Sequence, residues 1–125
     1  MTQEEILETA AAAEAEDSIP AWAQTVIAAH TSVAGANVSH AGRMKSSRYF
    51  VWQEDEDNEL RGDNGCDETA VTGYTDLFTK REFDPWAYAI GSAFDAAGIS
   101  WHKTGTTYEP DTGFFHHTWE WEVVG

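Results

Sequence analysis

Residues 83–98, FDPWAYAIGSAFDAAG, constrain this chain more than any other stretch. Asp84 can cap a helix with its carboxylate, Pro85 is preset for the first helical position, and Gly98 supplies a left-handed exit. Phe83 and Tyr88 have the spacing of a hydrophobic staple. Between the two ends Trp86, Ile90, Ala93, Phe94 and Ala97 recur at offsets of three and four, so one face is apolar and must be buried. A helix over 84–97 with that face requires a sheet to lie on.

The neighbouring sequence supplies one. Residues 48–53, RYFVWQ, read as a strand with Tyr49 and Val51 on one face and Phe50 and Trp52 on the other, which implies a central position or an interface. From about 67 to 80 the chain runs extended again, ends in YTDLF, and is expected to pair antiparallel with the first strand. Residues 99–108 read as a strand, 109–113 (EPDTG) as a turn and 114–124 as the final strand. In that strand Phe115, His117, Trp119, Trp121 and Val123 alternate with His116, Thr118, Glu120 and Glu122, giving one core face and one wet face. Upstream, Thr2 and Glu5 form a capping box ahead of an Ala-rich accessory helix within 1–17. Pro20 suits the first turn of a second helix whose Trp22, Val26 and Ile27 form a compact apolar stripe, and a short strand is expected at 37–39 in an otherwise loop-like stretch. The expected fold is a single α+β domain over 1–125, a mainly antiparallel sheet of about four strands with helices packed on one face.

Six Trp, six Phe and four Tyr provide enough apolar material for a core in a chain of 125 residues. The net charge is −15, from 22 acidic and 7 basic residues. That balance excludes a general nucleic-acid binder, because phosphate affinity comes from Lys and Arg. The acidity has two readings: solubility in a high-salt setting, or a surface that DNA passes without sticking. Cys66 is the single cysteine, so no internal disulfide and no cysteine cluster for a metal can form. The first residues lack the basic and apolar runs of a signal peptide, and no apolar run approaches the roughly 18 residues of a membrane span. A soluble intracellular product without membrane association is expected.

Asp55, Asp57 and Glu59 resemble the start of an EF-hand loop, but Leu60 stands where the turn needs Gly and Cys66 where the loop needs Glu. A looser cation site among these carboxylates is the alternative. Arg61-Gly62-Asp63 is read as a turn. His102, His116 and His117 are the beginnings of a zinc site, but His116 and His117 point to opposite faces of a strand, so they are read as ordinary strand residues. Glu120 and Glu122 share the wet face of the last strand. His30 and His40 lie in or beside weakly structured sequence with no partner signal. No nucleophile elbow, phosphate loop or dinucleotide fingerprint is present. No catalytic residue, cofactor or metal ligand is therefore assigned, and an enzyme is not expected. The candidate interaction residues belong to the acidic segment 54–67: Glu54, Asp55, Glu56, Asp57, Glu59, Arg61 and Asp63.

The succession YTDLFTK at 74–80, the Asp-led helix, GISW at 98–101 and YEPDTGFFHHTWEWEV at 108–123 resembles the tail-terminator or tail-completion proteins of long-tailed bacteriophages. The likeness covers roughly the last fifty residues well and the strand near Trp52 loosely. The resemblance implies a homohexameric ring that caps the tail tube, ends its polymerisation and joins the head connector. Its partners would be the tail-tube protein and a head-side connector or stopper, with genomic DNA passing through the lumen unbound, and its place the head-proximal end of the virion tail. The segment 54–67 would line the lumen or touch the neighbouring ring. The alternatives are an acidic DNA mimic that occupies a basic groove and a small metal-dependent hydrolase built on the histidines and residues 54–57.

Overall fold

The computed structural model describes residues 19–55 and 70–124. The expected accessory helix within 1–17, and Glu56, Asp57, Glu59, Arg61, Asp63 and Cys66 of the acidic segment, lie outside the described residues. The elements run α1 (Ala21–Ala34), β1 (Val38–His40), β2 (Arg48–Glu54), β3 (Ala70–Thr79), α2 (Pro85–Ala96), β4 (Ser100–Glu109) and β5 (Phe114–Val124). The fold is α+β: one five-stranded sheet in the order β1-β2-β3-β5-β4. Only β1 and β2 pair in parallel; β2–β3, β3–β5 and β5–β4 are antiparallel. The final hairpin thus folds back so that β5, not β4, lies beside β3. β1, at Val38–His40, is the short strand expected near 37–39, and it brings the sheet to five strands where about four were expected.

The helix over 84–97 forms for the reasons its ends supply. The Asp84 carboxylate accepts from the Trp86 amide at 2.9 Å, Pro85 opens the helix, and Gly98 leaves it at φ +74°. Ile90 and Phe94 are fully buried, and Trp86, Ala93 and Ala97 pack against the same core. The staple is weak, since Phe83 and Tyr88 remain 76% and 70% exposed. In α1, Val26 is fully buried with Trp22 and Ile27 beside it, while Pro20 sits at the cap position just before the first helical residue.

Both helices pack on one face of the sheet and on each other, over Phe50, Trp52, Leu77, Trp119, Trp121 and Val123. Burying each such side chain contributes about 1.5–3 kcal/mol. Two close approaches fix this layer. A Cβ at Gly73 would stand 2.5 Å from both the Gln53 carbonyl oxygen and the Trp121 ring, and one at Gly91 would stand 2.6 Å from the Trp101 ring. The opposite face carries a smaller cluster, Tyr49, Val51 and Phe78, with Met44 and Phe114 against it. The two-faced strand 48–53 therefore feeds both clusters from an interior position in the sheet.

Candidate interaction surface

Two buried polar assemblies hold the sheet and helices in register. Asp84, fully buried, caps α2 and also accepts from Thr79 Oγ1 at 2.7 Å and from Arg48 Nε at 2.8 Å, with Arg48 Nη2 on its other oxygen. Burial raises the Asp84 pKa, but the hydrogen bonds from Arg48, Thr79 and the Trp86 amide, with the Arg48 charge, bring it below its ordinary value. The Arg48 guanidinium also lies 3.8 Å over the Trp86 ring. Asp84 thereby ties the start of β2 and the end of β3 to the start of α2.

The second assembly corrects the expectation for His30, which lies fully buried in α1 rather than in weak structure. His30 Nδ1 donates to the Val26 carbonyl at 2.6 Å. Its Nε2 then accepts from Thr75 Oγ1 at 2.8 Å, and Thr75 Oγ1 accepts from Trp121 Nε1 at 2.9 Å. Every polar atom in this chain is satisfied with a neutral imidazole, and burial lowers the His30 pKa to about 4 despite the Val26 bond. His40 is corrected likewise. It ends β1, stacks on Trp52 at 4.1 Å and donates to Glu54 Oε1 at 2.8 Å. Burial raises the Glu54 pKa, but the His40 bond, Glu54's own amide and the His40 charge hold it below its usual value.

With the helices on one side, the other face and the β4 edge stay open. β4 is exposed along almost its whole length, with its outer ladder groups unpaired among the described residues. The register separates charge along the strands. Arg48 opposes Thr79 at one end, bringing Arg43, Lys45, Arg48, Lys80 and Arg81 together; the carboxylates there are Glu82, Asp84, Glu109 and Asp111. At the other end Glu54 opposes Gly73 and Glu122 opposes Thr72 and Ser100. This gathers Glu54, Asp55, Glu120 and Glu122, with no Lys or Arg among the described residues. Of the seven Lys and Arg, Arg61 lies outside the described residues and Lys103 stands mid-strand.

At the end of mixed charge the open face is aromatic. Arg43 reaches over Phe78, 4.1 Å from its centroid, and donates to Tyr49 Oη at 3.2 Å, while its Nη2 lies 3.5 Å from Glu109. His116 stacks on Phe78 at 4.3 Å and donates to Asp76 Oδ1 at 2.8 Å, an oxygen that also accepts from Thr118. At the acidic end Asp55, Thr72, Ser100, His102, Glu120 and Glu122 line a shallow cleft of about 440 Å³. Residues 56–69 join β2 to β3 at this end.

Of the candidate interaction residues, Glu54 closes β2 against His40, and Asp55 accepts from Thr72 Oγ1 at 2.7 Å. Glu120 and Glu122 are exposed, and Glu120 pairs with His102 at 3.0 Å. His102 and His116 lie on the open face, opposite Glu120 and Thr107, while His117 turns under the helices. Among the described residues no group of three or more His, Cys, Asp or Glu side chains is placed to hold a metal ion. Sequence reading missed Arg48 and Lys103. For Lys103 the signal was present, since it shares a strand phase with Trp101. No family model, curated protein or solved structure matches the chain.

Proposed function

We propose that this chain is a ring-forming terminator of a long-tailed bacteriophage tail, which caps the tail tube, ends its polymerisation and presents the surface for joining to the head connector. The observation that carries this reading is the unlike character of the two ends of one sheet. A terminator needs a surface that matches the last layer of the tube and a different surface that does not. A subunit with one aromatic end of mixed charge, where five Lys and Arg meet four carboxylates, and one end that carries carboxylates without Lys or Arg among the described residues supplies both.

The stretches that resemble tail-terminator proteins fall on the framework elements: 74–80 on β3 and its exit, Asp84 on the α2 cap, and 108–123 on the closing hairpin. The exposed β4 edge and the open face are available to neighbours in a homohexamer, and a heterologous contact whose rotation closes makes a ring. The mechanism is steric, with no bond made or broken. Acidic residues toward the lumen let genomic DNA pass, since Lys or Arg there would grip phosphate. The segment 54–67, which leaves the sheet at its acidic end, lines that lumen or meets the adjoining ring. Deleting most of it while ring formation and head joining persist would remove that role.

Adding the purified chain to polymerising tail-tube protein tests the function. The expected outcome, by electron microscopy, is shorter tubes with extra density at one end. Tubes of unchanged length with bare ends would overturn the reading.

A further inference from the structure

A cavity of about 260 Å³ opens between the first turn of α2 and the β4–β5 hairpin. His117 lies at it, only 5% exposed, with Lys103 Nζ and Thr106 Oγ1 each 3.0 Å from its Nδ1. Nδ1 offers a single in-plane lone pair, so two donors compete for one acceptor. With that lone pair accepting, the ring proton sits on Nε2, a buried atom with no hydrogen-bond partner. Donors therefore exceed acceptors here: Lys103 and Thr106, exposed on β4, turn spare hydrogens to the cavity mouth, and Nε2 is the one that is buried.

The charges around it leave the excess in place. Among the described residues no carboxylate lies within ion-pair distance of Lys103. Asp84, which also lines the cavity, is committed to Arg48, Thr79 and the α2 amide, and Glu82 stands exposed at the rim. Burial lowers the Lys103 pKa, and burial with the Lys103 charge takes that of His117 to about 4. Phe83, Tyr88 and Phe115 make the remaining wall apolar and aromatic.

We propose that this cavity is a binding site for a carboxylate carried on a short apolar stem. Lys103 supplies the charge, Thr106 a hydroxyl, and the aromatic wall takes the stem. The volume lies below the ~300 Å³ at which ordinary small-molecule pockets begin, so the occupant is a short acid or a single Glu or Asp side chain from a neighbouring chain. A carboxylate brings only acceptors, which is what the cluster lacks.

Propionate carries the same two-carbon stem as a Glu side chain and is the natural probe. With the full chain at dilution, NMR signals of the Lys103 ε-methylene and the His117 ring are followed against propionate, inorganic phosphate and chloride at matched ionic strength. The expected result is a saturable shift of both signals with propionate; in Lys103→Gln the His117 shift is lost, while the His30 signals, whose partners are Val26 and Thr75, stay unchanged. A propionate response equal to that of chloride, or binding of phosphate alone, would overturn the site.

Native mass then identifies the source. Assemblies dissolved by propionate and weakened by Lys103→Gln mean that a neighbour's carboxylate fills the site. Assemblies indifferent to both, with the shifts retained, mean a free acid. The titration needs no ring, so its failure and that of the proposed function are separate results.

Discussion

The covered and open faces of the sheet are both aromatic, yet they solve burial differently. Under the helices, Phe50, Phe94 and Trp119 are sealed by other elements, and the polar chain from Trp121 through Thr75 and His30 to Val26 closes on itself. On the open face, Tyr49 and Phe78 are covered by Met44, Phe114 and the Arg43 guanidinium, with His116 and Asp76 beside them. The first face is completed by folding. The second is roofed by side chains from the β1–β2 loop and from the start of β5, with no helix over them among the described residues. The difference separates a face closed by helices from one closed by side chains alone, and the proposed function puts docking on the latter.

The sharpest way to break this comparison is to empty one site on each face. Phe94→Ala should cost about 3–5 kcal/mol, because helices on a sheet collapse little around a void, and Phe78→Ala roughly half as much, because its cover is side chains that can settle. Denaturant midpoints measure both, and equal losses would erase the distinction. Asp84→Ala belongs with the larger effect, at about 3–5 kcal/mol, since it strands the Arg48 charge and removes the α2 cap.

Acid probes the covered face alone. The unfolded His30 takes up its proton near its ordinary 6.5, whereas the folded imidazole resists until about pH 4. Its contribution is complete above pH 6.5 and lost as pH falls toward 4, by roughly 3 kcal/mol from the 1.36 kcal/mol per pH unit of linkage. His117 adds a loss of the same sign, and the lowered Asp84 pKa extends it below 3.8. A stability that stays flat from pH 7 to 4 would contradict the closed polar chain.

Gly73→Ala should cost about 1–3 kcal/mol, because its Cβ meets a backbone carbonyl that cannot move aside. Gly91→Ala should cost less, since it meets the partly exposed Trp101 ring and gains about 0.5–1 kcal/mol of helix propensity. Smallest of all, Glu120→Gln on the open face should leave stability within about 0.5 kcal/mol. Glu120→Lys with Glu122→Lys should nevertheless weaken assembly, read as a lower native mass. A stability loss without any change in assembly would mean that the acidic end serves folding instead.

What was legible in the sequence follows the range of the forces involved. α2 could be read because Asp84, Pro85 and Gly98 act within a turn of its ends, and β5 because alternation is local. The β2–β3 pairing followed from two neighbouring aromatic runs. The insertion of β5 between β3 and β4 was not legible, since nothing local decides which hairpin strand meets β3. His30 escaped for the same reason, its partner Thr75 being 45 residues away. The candidate surface was half legible. The acidic segment announced itself by composition, whereas the gathering of Lys and Arg at the other end exists only through the register that sets Arg48 beside Thr79.

The central claim is that these surfaces close a ring on a tube. Native mass spectrometry of the full chain, alone and with its tail-tube protein, tests it most directly. The account predicts a six-fold species, either free or formed only on tube ends. A strict monomer that ignores tube ends and binds a basic enzyme would contradict it and leave the acidic mimic in its place.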